Sequence, residues 1–113
     1  MISEIVTFKL RPGMTRAEVV ALYRRTAPIW RANPDCIRKC YLFDAENHLG
    51  GGAYLWKTLE AARRAHGAEW RRMIDELYGS EGQISITYFE TPIVADNLVQ
   101  QTIAEDAAAG KAA

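Results

Sequence analysis

The stretch CIRKCYLFDAENHLGGGAYLWK, Cys36 to Lys57, contains two apolar runs around a polar break, and its reading decides the fold. Cys36–Phe43 and Gly51–Lys57 are short, aromatic-rich and β-branched or glycine-bearing, as strands are. Asp44-Ala45-Glu46-Asn47-His48 between them reads as a hairpin connection. Neither run alternates cleanly. Tyr54 and Trp56 fall on one side of their strand, with Ala53 and Leu55 on the other; Ile37, Tyr41 and Phe43 oppose Cys36, Cys40 and Leu42. A sheet with one face in water alternates apolar with polar. These strands expect cover on both faces.

Upstream, Ile2–Leu10 is a third apolar run, closed by the turn signal Arg11-Pro12-Gly13. Thr15 and Glu18 form a capping box, with Met14 and Val19 placed for a hydrophobic staple. Val20, Tyr23, Ala27 and Trp30 then follow at helical spacing, and Pro28 should kink or end that helix. Downstream, Thr58 caps a helical stretch interrupted at Gly67 and ending at Tyr78 before Gly79. Its apolar stripe is Ala62, His66, Trp70, Met73 and Leu77. Gln83–Ala95 reads as one long last strand, bent at Pro92. Residues 1–96 thus form one α+β domain of ferredoxin-like βαββαβ order. It has a four-stranded antiparallel sheet with its helices on one face. Residues 97–113, polar and then alanine-rich, are expected to be a frayed helix or disordered.

Helices can shield one sheet face only, so a second copy is expected over the other. A C2 homodimer is the simplest arrangement. The apolar excess of the last strand, Thr91-Pro92-Ile93-Val94-Ala95, could reach across to that partner.

The 113 residues carry 14 Lys and Arg against 14 Asp and Glu, a net charge of zero that argues against nucleic-acid binding. The arginine pairs at 24–25, 63–64 and 71–72 read as solvated, salt-bridged helix surface. No run reaches the roughly 20 apolar residues of a membrane span, and the N-terminus lacks a signal-peptide pattern. Cys36 and Cys40, about 13 Å apart on one side of a regular strand, are too distant for a disulfide. Reduced thiols fit a cytoplasmic protein.

Segment 46–57, with Gly51-Gly52-Ala53-Tyr54-Leu55-Trp56 at its centre, resembles the signature of the YdhR-type monooxygenase family, as does Tyr88-Phe89-Glu90-Thr91-Pro92 followed by Asp96-Asn97. The similarity runs over residues 2–98 in element order. It implies the dimeric α/β-barrel superfamily, which includes cofactor-independent antibiotic-biosynthesis monooxygenases, haem-degrading monooxygenases and stress-response proteins.

Trp56 and His66, ten residues apart, resemble the tryptophan–histidine spacing of the haem-degrading members, whose histidine binds iron. Those enzymes also use an asparagine on the first strand, and Ile5-Val6-Thr7-Phe8 has none. His66 therefore stands as a core histidine, a general base or a haem ligand. Tyr23, Trp30, Tyr54, Trp56, Trp70 and Tyr88 could line a pocket for a flat aromatic substrate, or simply fill the core. With His66 as base, the expected chemistry is cofactor-independent oxygenation of a phenol, anthrone or quinol by dioxygen. A non-catalytic binder or stress-response dimer is the alternative. No metal and no cofactor are expected. Asn47 and His48 read as turn residues. Glycines 50–52 lead into a strand and not a helix N-terminus, which excludes a phosphate cradle.

Overall fold

A computed structural model describes residues 1–98 and the backbone of residues 101–104. Strands β1 (Ile2–Lys9), β2 (Cys36–Asp44), β3 (Leu49–Trp56) and β4 (Ile84–Glu90) form one antiparallel sheet in the order β2-β3-β1-β4. The α+β ferredoxin-like expectation holds. Helices α1 (Arg16–Arg31), α2 (Leu59–Ala65) and α3 (Ala68–Tyr78) supply the crossovers.

Local chemistry explains the boundaries. Thr15 and Glu18 close a complete capping box at the start of α1. Thr58 Oγ1 accepts from Ala61 N at the start of α2. Gly79 ends α3 in the left-handed conformation, at φ 69°. Helix α1 runs through Pro28 to Arg31 rather than ending there. Buried Tyr23, Thr26 and Trp30 anchor it on both sides of the proline, and this packing outweighs one lost backbone bond. The break at Gly67 turns the helix axis so that Trp70, Ile74 and Tyr78 face inward. Met73 and Leu77 from the predicted stripe are only half-buried.

The sheet register fixes two faces. Ile2, Glu4, Val6 and Phe8 of β1 share the helix side with Tyr54 and Trp56 of β3 and with Ile84, Ile86 and Tyr88 of β4. A bulge between Cys36 and Arg38 changes the phase of β2. Cys36 therefore stands opposite Trp56 on the helix side while Cys40 stands opposite Ala53 on the other. The two cysteines do not share a side, as a regular strand would require.

Two further expectations change. The long last strand is broken at Thr91–Pro92 into β4 and β5 (Ile93–Asp96), and β5 pairs with β6 (Gln101–Ala104) of its own chain. A proline cannot donate to the ladder, so the break falls there. Residues 101–104 are thus strand, where frayed helix or disorder was expected; 99–100 and 105–113 lie outside the described residues.

Gly51 shows why the glycine run is needed. A Cβ there would lie 2.0 Å from the Val6 carbonyl oxygen. At Gly50 it would meet Phe8 and the Tyr23 hydroxyl, both at 2.7 Å. The rings of Phe8 and Tyr23 fill the space beside Gly50, and the β1 backbone fills that beside Gly51.

Candidate active site

Glu4 sits at the centre of β1, with no exposed surface. It is in phase with Ile2, Val6 and Phe8, so its carboxylate points into the core. An unpaired carboxylate there would be prohibitive. Two partners meet it: Trp56 Nε1 donates to Glu4 Oε1 at 2.9 Å, and His66 Nδ1 lies 2.9 Å from Glu4 Oε2. The imidazole contact is close but out of line with the ring N–H, an ion-pair approach rather than an aligned hydrogen bond. His66 itself comes from the C-cap of α2, at φ −108°. The α2–α3 break aims this side chain at the sheet.

Rings enclose the imidazole. Trp70 lies 4.3 Å away between centroids, Tyr54 4.7 Å, Trp30 5.4 Å and Trp56 6.0 Å. Among the described residues no group bonds His66 Nε2 or Trp70 Nε1, although both are buried. Burial, followed by the Glu4 charge, holds the Tyr54 hydroxyl well above the ordinary phenol range, so Tyr54 stays neutral.

Five of the seven residues predicted to form the site therefore meet: His66, Trp30, Tyr54, Trp56 and Trp70. Tyr88, half-buried, lies across the strand from Glu4 and beneath Arg63, whose guanidinium carbon is 5.8 Å from its ring centroid. Burial, then the Glu4 charge, raises its pKa. Tyr23 is elsewhere. Its hydroxyl donates to Leu42 O at 2.6 Å and accepts from Gly51 N at 3.0 Å, and its ring stacks on Tyr41. It ties α1 to β2 and β3.

Sequence reasoning missed Glu4. The signal was present as a carboxylate in phase with three apolar residues of the same strand.

The interior space between rings and sheet is almost closed, with a cavity of about 10 Å³ bordered by Trp30, Lys39, Tyr54 and Trp70. An outer groove of about 650 Å³ lies between the end of α1 and the α2–α3 break, with Trp30 and Trp70 on its wall. Ala65 and Gly67, the neighbours of His66, also line it. Among the described residues, no three His, Cys, Asp or Glu side chains are placed to hold a metal, and no helix is long and apolar enough to cross a membrane.

No family model and no curated protein matches the chain. Solved structures do. A Streptomyces coelicolor monooxygenase, the ActVA-Orf6 product crystallised with nanaomycin D, matches at a TM-score of 0.59 and 17% identity. The match covers 80% of this chain and 86% of that one. The chain has the fold of the antibiotic-biosynthesis monooxygenases. SnoaB, a cofactor-independent oxygenase from Streptomyces nogalater, matches at 0.56 and 16%, over 80% and 91% of the two chains. A Bordetella bronchiseptica protein provisionally named an antibiotic biosynthesis monooxygenase matches at 0.59 and 16%, over 80% and 95%. Identities this low establish shared architecture alone.

Proposed function

We propose that the protein is a cofactor-independent monooxygenase of the YdhR type, acting on a phenol, anthrone or quinol with His66 as general base. The observation that carries this is the buried Glu4–His66 contact. A carboxylate 2.9 Å from Nδ1 favours, through its charge, the tautomer with the proton on that nitrogen and would stabilise the imidazolium formed when Nε2 takes a second one. Nε2, the nitrogen away from the carboxylate, is then the base.

For an anthrone, His66 Nε2 removes a proton from the reacting methylene and the resulting carbanion passes an electron to dioxygen. A carbon–oxygen bond forms and the peroxide oxygen takes a proton. The remaining hydrogen on that carbon is then removed as a proton while the O–O bond breaks; the departing hydroxide takes up a proton to leave as water, and the carbon becomes a carbonyl. One oxygen atom enters the product, the other leaves in water, and the substrate supplies all the electrons. Trp30, Tyr54, Trp56 and Trp70 would hold the ring system and exclude water. Entry would run through the groove at the α2–α3 break, with Trp70 moving aside.

The same reading takes a homodimer as the working unit, in the cytoplasm. Ile5 and Phe89, 37% and 55% exposed, stand on the sheet face away from the helices, where a second copy would cover them.

Oxygen uptake with a panel of anthrones and quinols tests the proposal. Uptake by the wild type should fall at least 100-fold in His66→Gln and His66→Ala, in line with the about 10²–10⁴-fold worth of a general base. Uptake equal to that of the variants would overturn it.

One observation favours the second reading, a non-catalytic binder or stress-response dimer: the interior beside the rings is nearly filled, whereas the outer groove of about 650 Å³ has room for a ligand. Recovery of bound ligand intact after prolonged aerobic incubation would support it. Haem degradation ranks third. A carboxylate beside Nδ1 suits a metal-ligating histidine, but Ile5-Val6-Thr7-Phe8 of β1 carries no asparagine, which the haem-degrading enzymes use on that strand. Haemin titration without a Soret shift would dismiss it.

A further inference from the structure

Charge in this neutral chain is unevenly spread. Helix α1 carries Arg16, Arg24, Arg25 and Arg31 against a single carboxylate, Glu18, which is committed to the Thr15 cap. Beside α1, along edge strand β2, lie two adjoining hollows of about 450 and 420 Å³ that share Ala27 and Tyr41. Arg16 and Arg24 flank the first; Arg31, Arg38 and Lys39 flank the second. Among the described residues no Asp or Glu lines either one. Aromatic rings form the floor, chiefly Tyr41 stacked on Tyr23 at 4.4 Å, with Trp30 at one end.

Lys39 is the unusual member. Its Nζ stands 3.9 Å from the centroid of Tyr41, 4.1 Å from Trp30 and 4.5 Å from Tyr54. Arg38 has Asp96 at 3.4 Å, but among the described residues no carboxylate comes within ion-pair distance of Lys39. Ring faces offset part of the cost of desolvating an ammonium. They do not supply the anion that a half-buried cation ordinarily finds. Each hollow falls within the range of small-molecule sites, about 300–1,000 Å³.

We propose that the trough between α1 and β2 binds a small planar aromatic carboxylate, whose carboxylate pairs with Lys39 while Arg24 and Arg31 guide it from the rim. The ring lies along Tyr41 and the apolar floor. Trp30 and Tyr54 touch both Lys39 and His66, so they form a wall shared with the proposed active site. The trough is a second site and does not depend on the oxygenase reading. Burial brings the Lys39 amine down to about 7, and an arriving carboxylate would hold the proton on it.

The test titrates 2-naphthoate into the full chain at low salt, following tryptophan fluorescence, with neutral 2-acetonaphthone as the isosteric control. Naphthoate should saturate below 1 mM and bind at least tenfold tighter than the ketone. Binding should weaken at least tenfold in Lys39→Met. It should weaken several-fold in the Arg24→Ala/Arg31→Ala double variant, whose exposed positions leave the fold intact if Lys39→Met does not fold. His66→Ala should leave it unchanged, whatever happens to oxygen uptake. Equal affinity for acid and ketone, no saturation, or undiminished binding in the folded variants would overturn the proposal.

Discussion

Replacing Glu4 by leucine removes the one buried carboxylate among the described residues, at nearly constant volume. Two groups lose their partner: Trp56 Nε1–H, which donates to it at 2.9 Å, and His66 Nδ1, also 2.9 Å away. Each unsatisfied buried polar group costs about 1–3 kcal/mol. Leucine recovers some of this, because the carboxylate no longer has to be desolvated. Two buried polar groups left unpaired, less that recovery, net about 2–5 kcal/mol, against a total stability of about 5–15 kcal/mol for a typical domain. With a urea m-value of about 1–3 kcal/mol/M, the midpoint should fall by roughly 2 M. Glu4→Gln behaves differently. It keeps an oxygen for Trp56 and turns an NH2 toward His66, which stabilises the tautomer protonated at Nε2. Stability should fall by about 1–2 kcal/mol, while base catalysis at Nε2 is lost. Urea denaturation followed by tryptophan fluorescence, alongside oxygen uptake, reads both effects. A Glu4→Leu protein within 1 kcal/mol of wild type would refute the claim that this carboxylate holds the two rings.

Gly51→Ala should destabilise by about 3 kcal/mol or more by overpacking, since the new methyl would fall 2.0 Å from a backbone oxygen. Gly67→Ala, whose nearest neighbour is 3.7 Å away, should change stability by less than about 1 kcal/mol; thermal melts compare the two. Lys39 has a folded pKa of about 7 against about 10.4 unfolded, so the unfolded chain binds the extra proton between those values. The stability of wild type relative to Lys39→Met should therefore rise from pH 7 to pH 10. Taking the difference between the two proteins removes contributions from Cys36, Glu4, Tyr41 and Tyr54, which face the amine; a falling or flat difference would contradict the shift. Ile5→Asp places a charge on the exposed sheet face and should convert a micromolar dimer to a single subunit in sedimentation velocity. A wild type already monomeric at that concentration would remove the dimer.

What could be read from sequence was what depends on near neighbours. The Thr15–Glu18 box, the hairpin at 44–48 and the break at Gly67 each rest on a few adjacent residues, and each stands where the pattern put it. Pro28 and Tyr23 depart from the pattern because tertiary contacts decide them: buried Trp30 carries α1 past the proline, and the backbone of Leu42 and Gly51 claims the Tyr23 hydroxyl. Whether six aromatic rings leave a cavity depends on packing to a fraction of an ångström, which spacing does not encode. Two charged residues were legible in principle. Glu4 is in phase with Val6 and Phe8, and Lys39 with Tyr41 and Phe43, so each strand sends one charge toward the core. A charge in that position demands a partner, and the two cases end differently. Glu4 finds Trp56 and His66 within the chain, and the contact leaves a nitrogen free to act as a base. Among the described residues Lys39 finds only ring faces, and the proposed ligand would bring its anion from solution.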